Sequence, residues 1–438
     1  MREPHVSVIG LGKLGLPLAV CLATKYHVIA VDKDSEKIRQ LKRKQTYLFE
    51  PRLDSLFQKH FKNLHFTNSV AQAISSSELT FIVVPTPSRR NGSFSLEFIK
   101  HACEKMAFTF RRKNHKHTIV ITSTVSPLSM DTVIQPLLAA LTQKTQGTRF
   151  GLCYSPEFIS LGNVIRGILN PEFILIGTSD DDAGQLVKEV RLKICQNKPP
   201  VIITNFINAE ITKLALNTYI TTKISFANMI ARICEKTPGA DADVVTHTLG
   251  LDSRIGQKYL RGAVGYGGPC FPRDNLALAA FARAVKTKAE LVIATHEFNE
   301  RQTKFLLSLV KKFMTEGDTV GVAGLTYKVD TNVTDHSPGL MLLATLSRMK
   351  IKTIAYDPSL ANPPTLSFVT TVNSLTKLIV KANVVVITTP WPEFKKIPDL
   401  IKVSGSKPFI LIDCWKIIDS RRLPGRVTYV PLGVGLAS

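Results

Sequence analysis

Short apolar strands alternating with helices, in an order that occurs twice along the chain, predict an α/β protein with two doubly wound domains. Three observations carry this prediction. Apolar runs punctuated by helical stretches fill the opening segment, the last segment repeats the opening in weakened form, and one uninterrupted helical stretch lies between them. A long central helix within a helical middle domain is therefore expected to join the two.

The first strand and turn read Val6-Ser-Val-Ile-Gly-Leu-Gly-Lys-Leu-Gly15, followed by a helix to about Tyr26. A second strand, His27-Val-Ile-Ala-Val31, ends on Asp32. Further strands are expected at Leu79–Val84, Thr118–Thr122, Phe150–Tyr154 and Phe173–Gly177, in a parallel sheet covered on both faces. Thr319-Val-Gly-Val-Ala-Gly324 matches the first strand and its glycine turn, and Thr353-Ile-Ala-Tyr-Asp-Pro358 matches the second strand with its terminal acid. Asn383-Val-Val-Val-Ile-Thr-Thr-Pro390 echoes Phe81-Ile-Val-Val-Pro-Thr-Pro87, and Pro408-Phe-Ile-Leu-Ile-Asp413 adds another strand. Between the halves, Asn208 to Lys236 contains no Gly or Pro and reads as one helix on the order of 40 Å long. Such a length suits a connector between domains and an interface with a second copy of the chain.

Composition bounds the function. At 438 residues, with 44% hydrophobic and 21% charged residues, the chain is that of a globular protein of two or three domains. No basic leader or cleavage site precedes the first strand, and no apolar run reaches the roughly 18 residues that a membrane span needs, so a cytoplasmic protein without a membrane partner is expected. The seven cysteines are scattered and show no CxxC spacing, which argues for reduced thiols and against a disulfide framework or a metal site. The net charge of +22 fits an anionic partner, but the basic residues are spread out and no aromatic residues alternate with them. Anionic small ligands account for the charge better than nucleic acid does.

Gly10-Leu-Gly-Lys-Leu-Gly15 stands where a strand turns into a helix. Gly10 permits the tight turn, Gly12 lets a pyrophosphate approach backbone N–H groups, and Gly15 packs the helix against the strand. With Asp32 closing the second strand, this is the Rossmann-like dinucleotide fingerprint. A carboxylate there binds ribose hydroxyls and repels a 2′-phosphate, so NAD is the expected cofactor, a preference that the neighbouring Lys33 could soften.

The segment Gly262-Ala-Val-Gly-Tyr-Gly-Gly-Pro-Cys-Phe-Pro-Arg-Asp274 crowds four glycines ahead of one cysteine. It is poor in helix and strand formers, and close backbone approach to a ligand is its expected use. A cysteine beside Arg273 can populate the thiolate that attacks carbonyls, whereas the other six cysteines read as small core residues.

These elements occur with Val83-Val-Pro-Thr-Pro87, Ser123-Thr-Val-Ser-Pro127, Ser155-Pro-Glu-Phe158, Ala209-Glu-Ile-Thr-Lys-Leu-Ala-Leu-Asn217 and Gly324-Leu-Thr-Tyr-Lys328. In that order and spacing, over nearly its whole length, the chain resembles the family of UDP-glucose, GDP-mannose and UDP-N-acetylmannosamine dehydrogenases. The resemblance implies two successive NAD-dependent oxidations of a sugar's primary alcohol to an acid, through a thioester on Cys270 that water hydrolyses. It implies residues 1–200 as an NAD-binding domain, 201–300 as a helical central and dimerisation domain with the cysteine loop, and 301–438 as a nucleotide-sugar (UDP)-binding domain. Lys213 and Asn217, four apart on the long helix, are assigned to the sugar C6 oxygen; read without the family they are a solvated polar helix face. Asp274 and Thr124 match positions that hold and activate a water, and Glu157 matches a base for thioester hydrolysis. Leu11, Lys37, Thr86, Thr124 and Arg273 join Gly10, Gly12, Gly15 and Asp32 as implied cofactor contacts. Tyr259, Leu260, Arg261, Gly262, Ala263, Gly267 and Lys328 are implied substrate contacts, and Arg254 an arginine reaching across a homodimer.

Two positions depart from the family pattern. Leu161 stands where many members carry a second acid, a position at which members acting on N-acetylated sugars also lack one, and Asp335 replaces the usual arginine seven residues after Lys328. A UDP-linked hexose is expected, with UDP-glucose first, UDP-N-acetylmannosamine second and GDP-mannose as a further alternative. Two rivals remain. A dehydrogenase of the β-hydroxyacid or 6-phosphogluconate type needs neither Cys270 nor the second nucleotide-type segment, and a basic nucleic-acid-binding protein with a vestigial Rossmann domain gives Gly-Gly-Pro-Cys270 no purpose.

Overall fold

A computed structural model describes residues 4–435 apart from 144, 145, 148, 149, 361, 362, 364 and 406. The expectation about a leader at the start of the chain falls partly outside the described residues. The chain divides into two compact units, residues 1–215 with 280–287 and residues 216–279 with 288–438.

The first unit is built on an eight-stranded sheet of β1 (Val6–Ile9), β2 (Val28–Val31), β3 (Leu64–Thr67), β4 (Leu79–Ile82), β5 (His117–Ile121), β6 (Phe150–Tyr154), β7 (Ile174–Thr178) and β8 (Val201–Thr204). Their order is β3-β2-β1-β4-β5-β6-β7-β8, with Val6 opposite both Val28 and Leu79. Alternate residues feed opposite layers, as strand geometry requires. Val6, Val8, Leu79 and Phe81 pack into one core and Ile9, Ile82, Ile119 and Ile121 into the other. The expectation of an all-parallel sheet is corrected at one pair: β6 and β7 are antiparallel, joined only at Cys153–Thr178 and Tyr154–Gly177. Between them lies the six-residue helix Val164–Leu169, about 9 Å long, too short to carry the chain back along a five-residue strand of about 16 Å. The 14-residue helix Asp181–Ile194 is long enough, and β7 pairs with β8 in parallel.

The second unit repeats the theme with β9 (Val320–Ala323), β10 (Thr353–Tyr356), β11 (Val369–Thr371), β12 (Val384–Ile387), β13 (Phe409–Asp413) and β14 (Val427–Pro431). All pair in parallel, in the order β11-β10-β9-β12-β13-β14. The predicted echo holds at atomic level. Gly10 and Gly324 both take positive φ, +95° and +100°, where a side chain is strained. Asp32 accepts the N–H of Leu11 at 2.9 Å, and Asp357 that of Leu325 at 2.7 Å. Asp32 also accepts Asp34 N at 3.0 Å, and Asp357 accepts Ser359 N at 2.9 Å. Gly15 and Gly339 each bring a helix so close to the preceding turn that a Cβ would overlap the carbonyl oxygen of Gly10 or Gly324.

The predicted long helix runs from Phe206 to Glu235, 30 residues, and begins in the first unit and continues in the second. The helical middle also contains Ala242–Leu251, Phe271–Ala284 and the 24-residue Glu290–Phe313.

Gly339→Ala forces the Pro338–Arg348 helix off the Gly324 turn and is expected to cost about 1–3 kcal/mol. Urea unfolding should show a lower midpoint, with cofactor affinity unchanged because the Gly10 turn belongs to the other unit. A wild-type midpoint would contradict this packing.

Candidate active site

In the first unit the loops after β1, β4 and β5 meet at the carboxyl ends of the strands, where the order reverses between β1 and β4 and where ligands bind in such sheets. The Gly15–Leu22 helix has no side-chain cap and no acid in its first turn, so its leading N–H groups are open to an anion. A Cβ on Gly12 would meet nothing within 4 Å, which leaves room in front of the turn. Asp32 is nearly buried, and its two N–H bonds leave acceptor capacity for a ribose hydroxyl. Asp357 is committed more fully, since it also accepts from Thr326 and from the Trp391 indole. The residues around Gly10 therefore fit a dinucleotide. Lys37 Nζ lies 3.9 Å from Asp32, while Lys33 stands over the Phe98 ring at 5.3 Å, which gives its charge another partner. Tyr47, which sequence reasoning missed, donates its hydroxyl to Leu11 O at 2.5 Å, and burial pushes its ionisation up.

Thr86 donates its hydroxyl to Thr124 O at 2.7 Å, and Ser123 binds both backbone groups of Val84. The loops carrying the two threonines are thereby stitched together. Lys213, nearly buried, donates to the main-chain oxygen of Glu157 at 2.7 Å and sits 4.9 Å from the Phe158 ring. The Glu157 carboxylate, expected to act as a base, is ion-paired with Arg191, and both side chains are buried. Leu161 packs partly buried against the core of the first unit. Its loop is held by Glu50, which accepts Gly162 N at 2.8 Å and Val164 N at 2.7 Å.

In the second unit Cys270 begins the Phe271–Ala284 helix, where its carbonyl accepts Asp274 N at 2.9 Å. Among the described residues it is the only exposed cysteine. Burial pushes the thiols of Cys103 and Cys153 up to about 12 and raises those of Cys21, Cys195, Cys234 and Cys414 as well. Asp274 accepts Asn217 Nδ2 at 2.6 Å. The adjacent Asn275 accepts the Thr221 hydroxyl at 3.1 Å and donates to the Tyr266 hydroxyl at 2.8 Å. The cysteine helix is thus clamped to the long helix at two successive turns. Asn228 binds Ala263 N and Val264 O, and Asn299 binds both backbone groups of Tyr266. These amides fix the glycine-rich segment; only their chemistry, not their spacing, could have flagged them.

The close approach that the glycines permit is to the chain's own backbone. A Cβ on Gly267 would overlap His336 O, and Gly268, at φ +86°, donates to Asp335 O at 2.8 Å. Gly262 packs on Ala227 and Ala231 of the long helix. Lys328 Nζ lies 5.9 Å from the Tyr327 ring, in the same loop as Asp335. Tyr259 adopts φ +67° and is half-exposed, Leu260 is buried, and Arg261 donates to Trp415 O. Arg254 is exposed and bound to Asp252 at 2.7 Å, and Arg273 lies in the first turn after Cys270. Among the described residues no cluster of His, Cys, Asp and Glu could hold a metal, and no helix is long and apolar enough to cross a membrane.

Arg191→Met leaves the Glu157 carboxylate buried without its partner and is expected to cost about 3–5 kcal/mol. Adding Glu157→Gln should recover part of that loss in urea unfolding. A wild-type midpoint for the single variant would show that the pair is not buried as described.

The chain matches three models of one family: the NAD binding domain of the UDP-glucose/GDP-mannose dehydrogenase family at residues 4–194, its central domain at 207–301 and its UDP binding domain at 321–420. It is 31% identical over 423 residues to the UDP-glucose 6-dehydrogenase AglM of Haloferax volcanii, covering 95% of this chain and 98% of that one. Among solved structures it is similar to a UDP-glucose dehydrogenase from Pyrobaculum islandicum, with a TM-score of 0.87, 26% identity and coverage of 100% and 98%. It is also similar to a UDP-D-ManNAc dehydrogenase from Pyrococcus horikoshii, with a TM-score of 0.83, 25% identity and coverage of 98% and 99%. The chain belongs to the UDP-glucose/GDP-mannose dehydrogenase family and is an NAD-dependent nucleotide-sugar dehydrogenase.

Proposed function

We propose that this enzyme oxidises a UDP-linked hexose at C6 to the uronic acid through a thioester on Cys270, with UDP-glucose as first substrate and UDP-N-acetylmannosamine as second. The observation that carries the chemistry is Cys270 itself, an exposed thiol at the start of a helix whose first turn holds Asp274 against Asn217. The leading N–H groups and dipole of that helix favour a thiolate. NAD, held by the Gly10 turn and Asp32, supplies the hydride acceptor for both oxidations when bound. Lys213 and Asn217, on one face of the long helix, are assigned to the C6 oxygen, where an ammonium and an amide stabilise negative charge. Once the alcohol is an aldehyde, the Cys270 sulfur bonds to C6 and the oxygen takes up a proton. Loss of the remaining C6 hydride and of that proton leaves the thioester. Water, positioned by Asp274 and Thr124, adds to C6; the C–S bond breaks and releases the carboxylate and the thiolate.

The sugar choice rests on relatives. The Haloferax protein is named for UDP-glucose, and the Pyrococcus structure for UDP-D-ManNAc. Leu161 supports keeping the N-acetylated sugar in second place, since a leucine supplies no acceptor for a hexose hydroxyl. The alignment to the Haloferax UDP-glucose 6-dehydrogenase over 95% of the chain favours the dehydrogenase reading over the nucleic-acid-binding alternative. A homodimer is part of the same proposal: Tyr219, Phe226 and Ile233, seven residues apart on the long helix, share one exposed face, as a surface for a second copy would. The division into cofactor, central and nucleotide-sugar domains near residues 200 and 300 is likewise proposed.

A panel of UDP-glucose, UDP-N-acetylmannosamine and GDP-mannose, read by NADH formation, tests the substrate, and Cys270→Ser tests the chemistry. One of the UDP-sugars should give the highest kcat/KM, and the variant should bind NAD but form no acid. Acid formation by Cys270→Ser at the wild-type rate would end the thioester reading, and a clear preference for GDP-mannose would end the substrate reading alone.

A further inference from the structure

The long helix carries a buried acid that the mechanism leaves unused. Glu210 is fully buried and precedes Lys213 by three residues, so the two share a helix face. Its carboxylate accepts Leu128 N at 2.7 Å and Met130 N at 2.8 Å, one oxygen to each. These N–H groups end the loop that begins at Thr124. Leu128 takes φ +73°, a strained conformation for a leucine that must be held by its surroundings. The same loop is fixed elsewhere: Thr124 O accepts the Thr86 hydroxyl, the buried Val125 packs in the core, and Ser126 accepts Phe94 N at 3.0 Å.

We propose that Glu210 is a positioning residue that fastens the Thr124–Met130 loop to the helix bearing Lys213 and thereby sets the place of Thr124. The inference rests on the reading of Thr124 as part of the catalytic machinery. A carboxylate suits the task because it accepts both N–H groups and donates to neither. Glutamine of the same shape turns an N–H towards one of them and keeps a single bond. Burial pushes the Glu210 carboxyl up to about 7, and the neighbouring Asp131 adds to this while the backbone N–H groups oppose it. Assays at pH 8.5, about a unit and a half above that value, keep it ionised.

The test is a double-mutant cycle on the full-length enzyme with its preferred nucleotide sugar. Glu210→Gln and the shorter Glu210→Asp should each lower kcat about 10- to 100-fold, with the KM for the sugar within about twofold of wild type. In a Thr124→Ala background, Glu210→Gln should cost less than about threefold, because the group it positions is gone. A general loss of folding would instead lower activity equally in both backgrounds. Equal losses, or variants within twofold of wild-type kcat while Thr124→Ala is impaired, would overturn the role of Glu210 and leave the site reading intact. Wild-type activity in Thr124→Ala would overturn both.

Discussion

Within each unit, the placing of the candidate site residues depends on a constraint set by one helix. At 3.6 residues per turn, Glu210, Lys213, Asn217, Thr221, Asn228 and Glu235 fall along a single face of Phe206–Glu235. A polar group withdrawn from water needs a hydrogen-bond partner, and each of these finds one outside the helix. Glu210 takes the loop after β5, Lys213 the main chain at Glu157, Asn217 the acid that follows Cys270, and Thr221 the adjacent Asn275. Asn228 takes the glycine-rich segment, and Glu235 accepts Gly433 N at 2.8 Å. Within each unit, loops far apart in sequence are thus tied to the segment of the helix that the unit contains, and the cost of burying polar groups enforces the register.

The same logic separates the two acids that close the second strand of each sheet. Asp32 and Asp357 make the same backbone bonds to the glycine turn and to the residue two positions on. Only Asp357 also receives a threonine and an indole N–H, which turns it into a fixed strut. Asp32 retains acceptor capacity in front of an uncapped helix, and that difference fits it, and not Asp357, to a ribose hydroxyl.

What was legible in the sequence, and what was not, divides along physical lines. Every interior strand of both sheets was predicted, because a strand covered on both faces reads as an apolar run. The four strands missed, β3, β8, β11 and β14, are the edges of the two sheets. β8 and β11 are largely open to solvent, and an exposed polar residue, His65 in β3 and Thr428 in β14, breaks the apolar run of the other two. Cys270, set apart in the sequence by the glycines crowded ahead of it, is the only exposed cysteine among the described residues. Lys213 and Asn217, read without the family as a solvated polar face, are buried. Periodicity shows that residues share a face but not what covers it. Arg191, Tyr47, Glu50 and Glu210 were missed for a related reason: each meets its partner across tens of residues of chain, and no local pattern encodes such a pairing.

In the proposed reaction the half-oxidised sugar stays bound to Cys270 between the two oxidations. The most direct measurement is the ratio of NADH formed to nucleotide sugar consumed, followed to completion with the sugar product identified. A ratio of two, with the acid as sole product and no aldehyde trapped by an added hydrazine, is the predicted result. A ratio of one with free aldehyde in solution would contradict it.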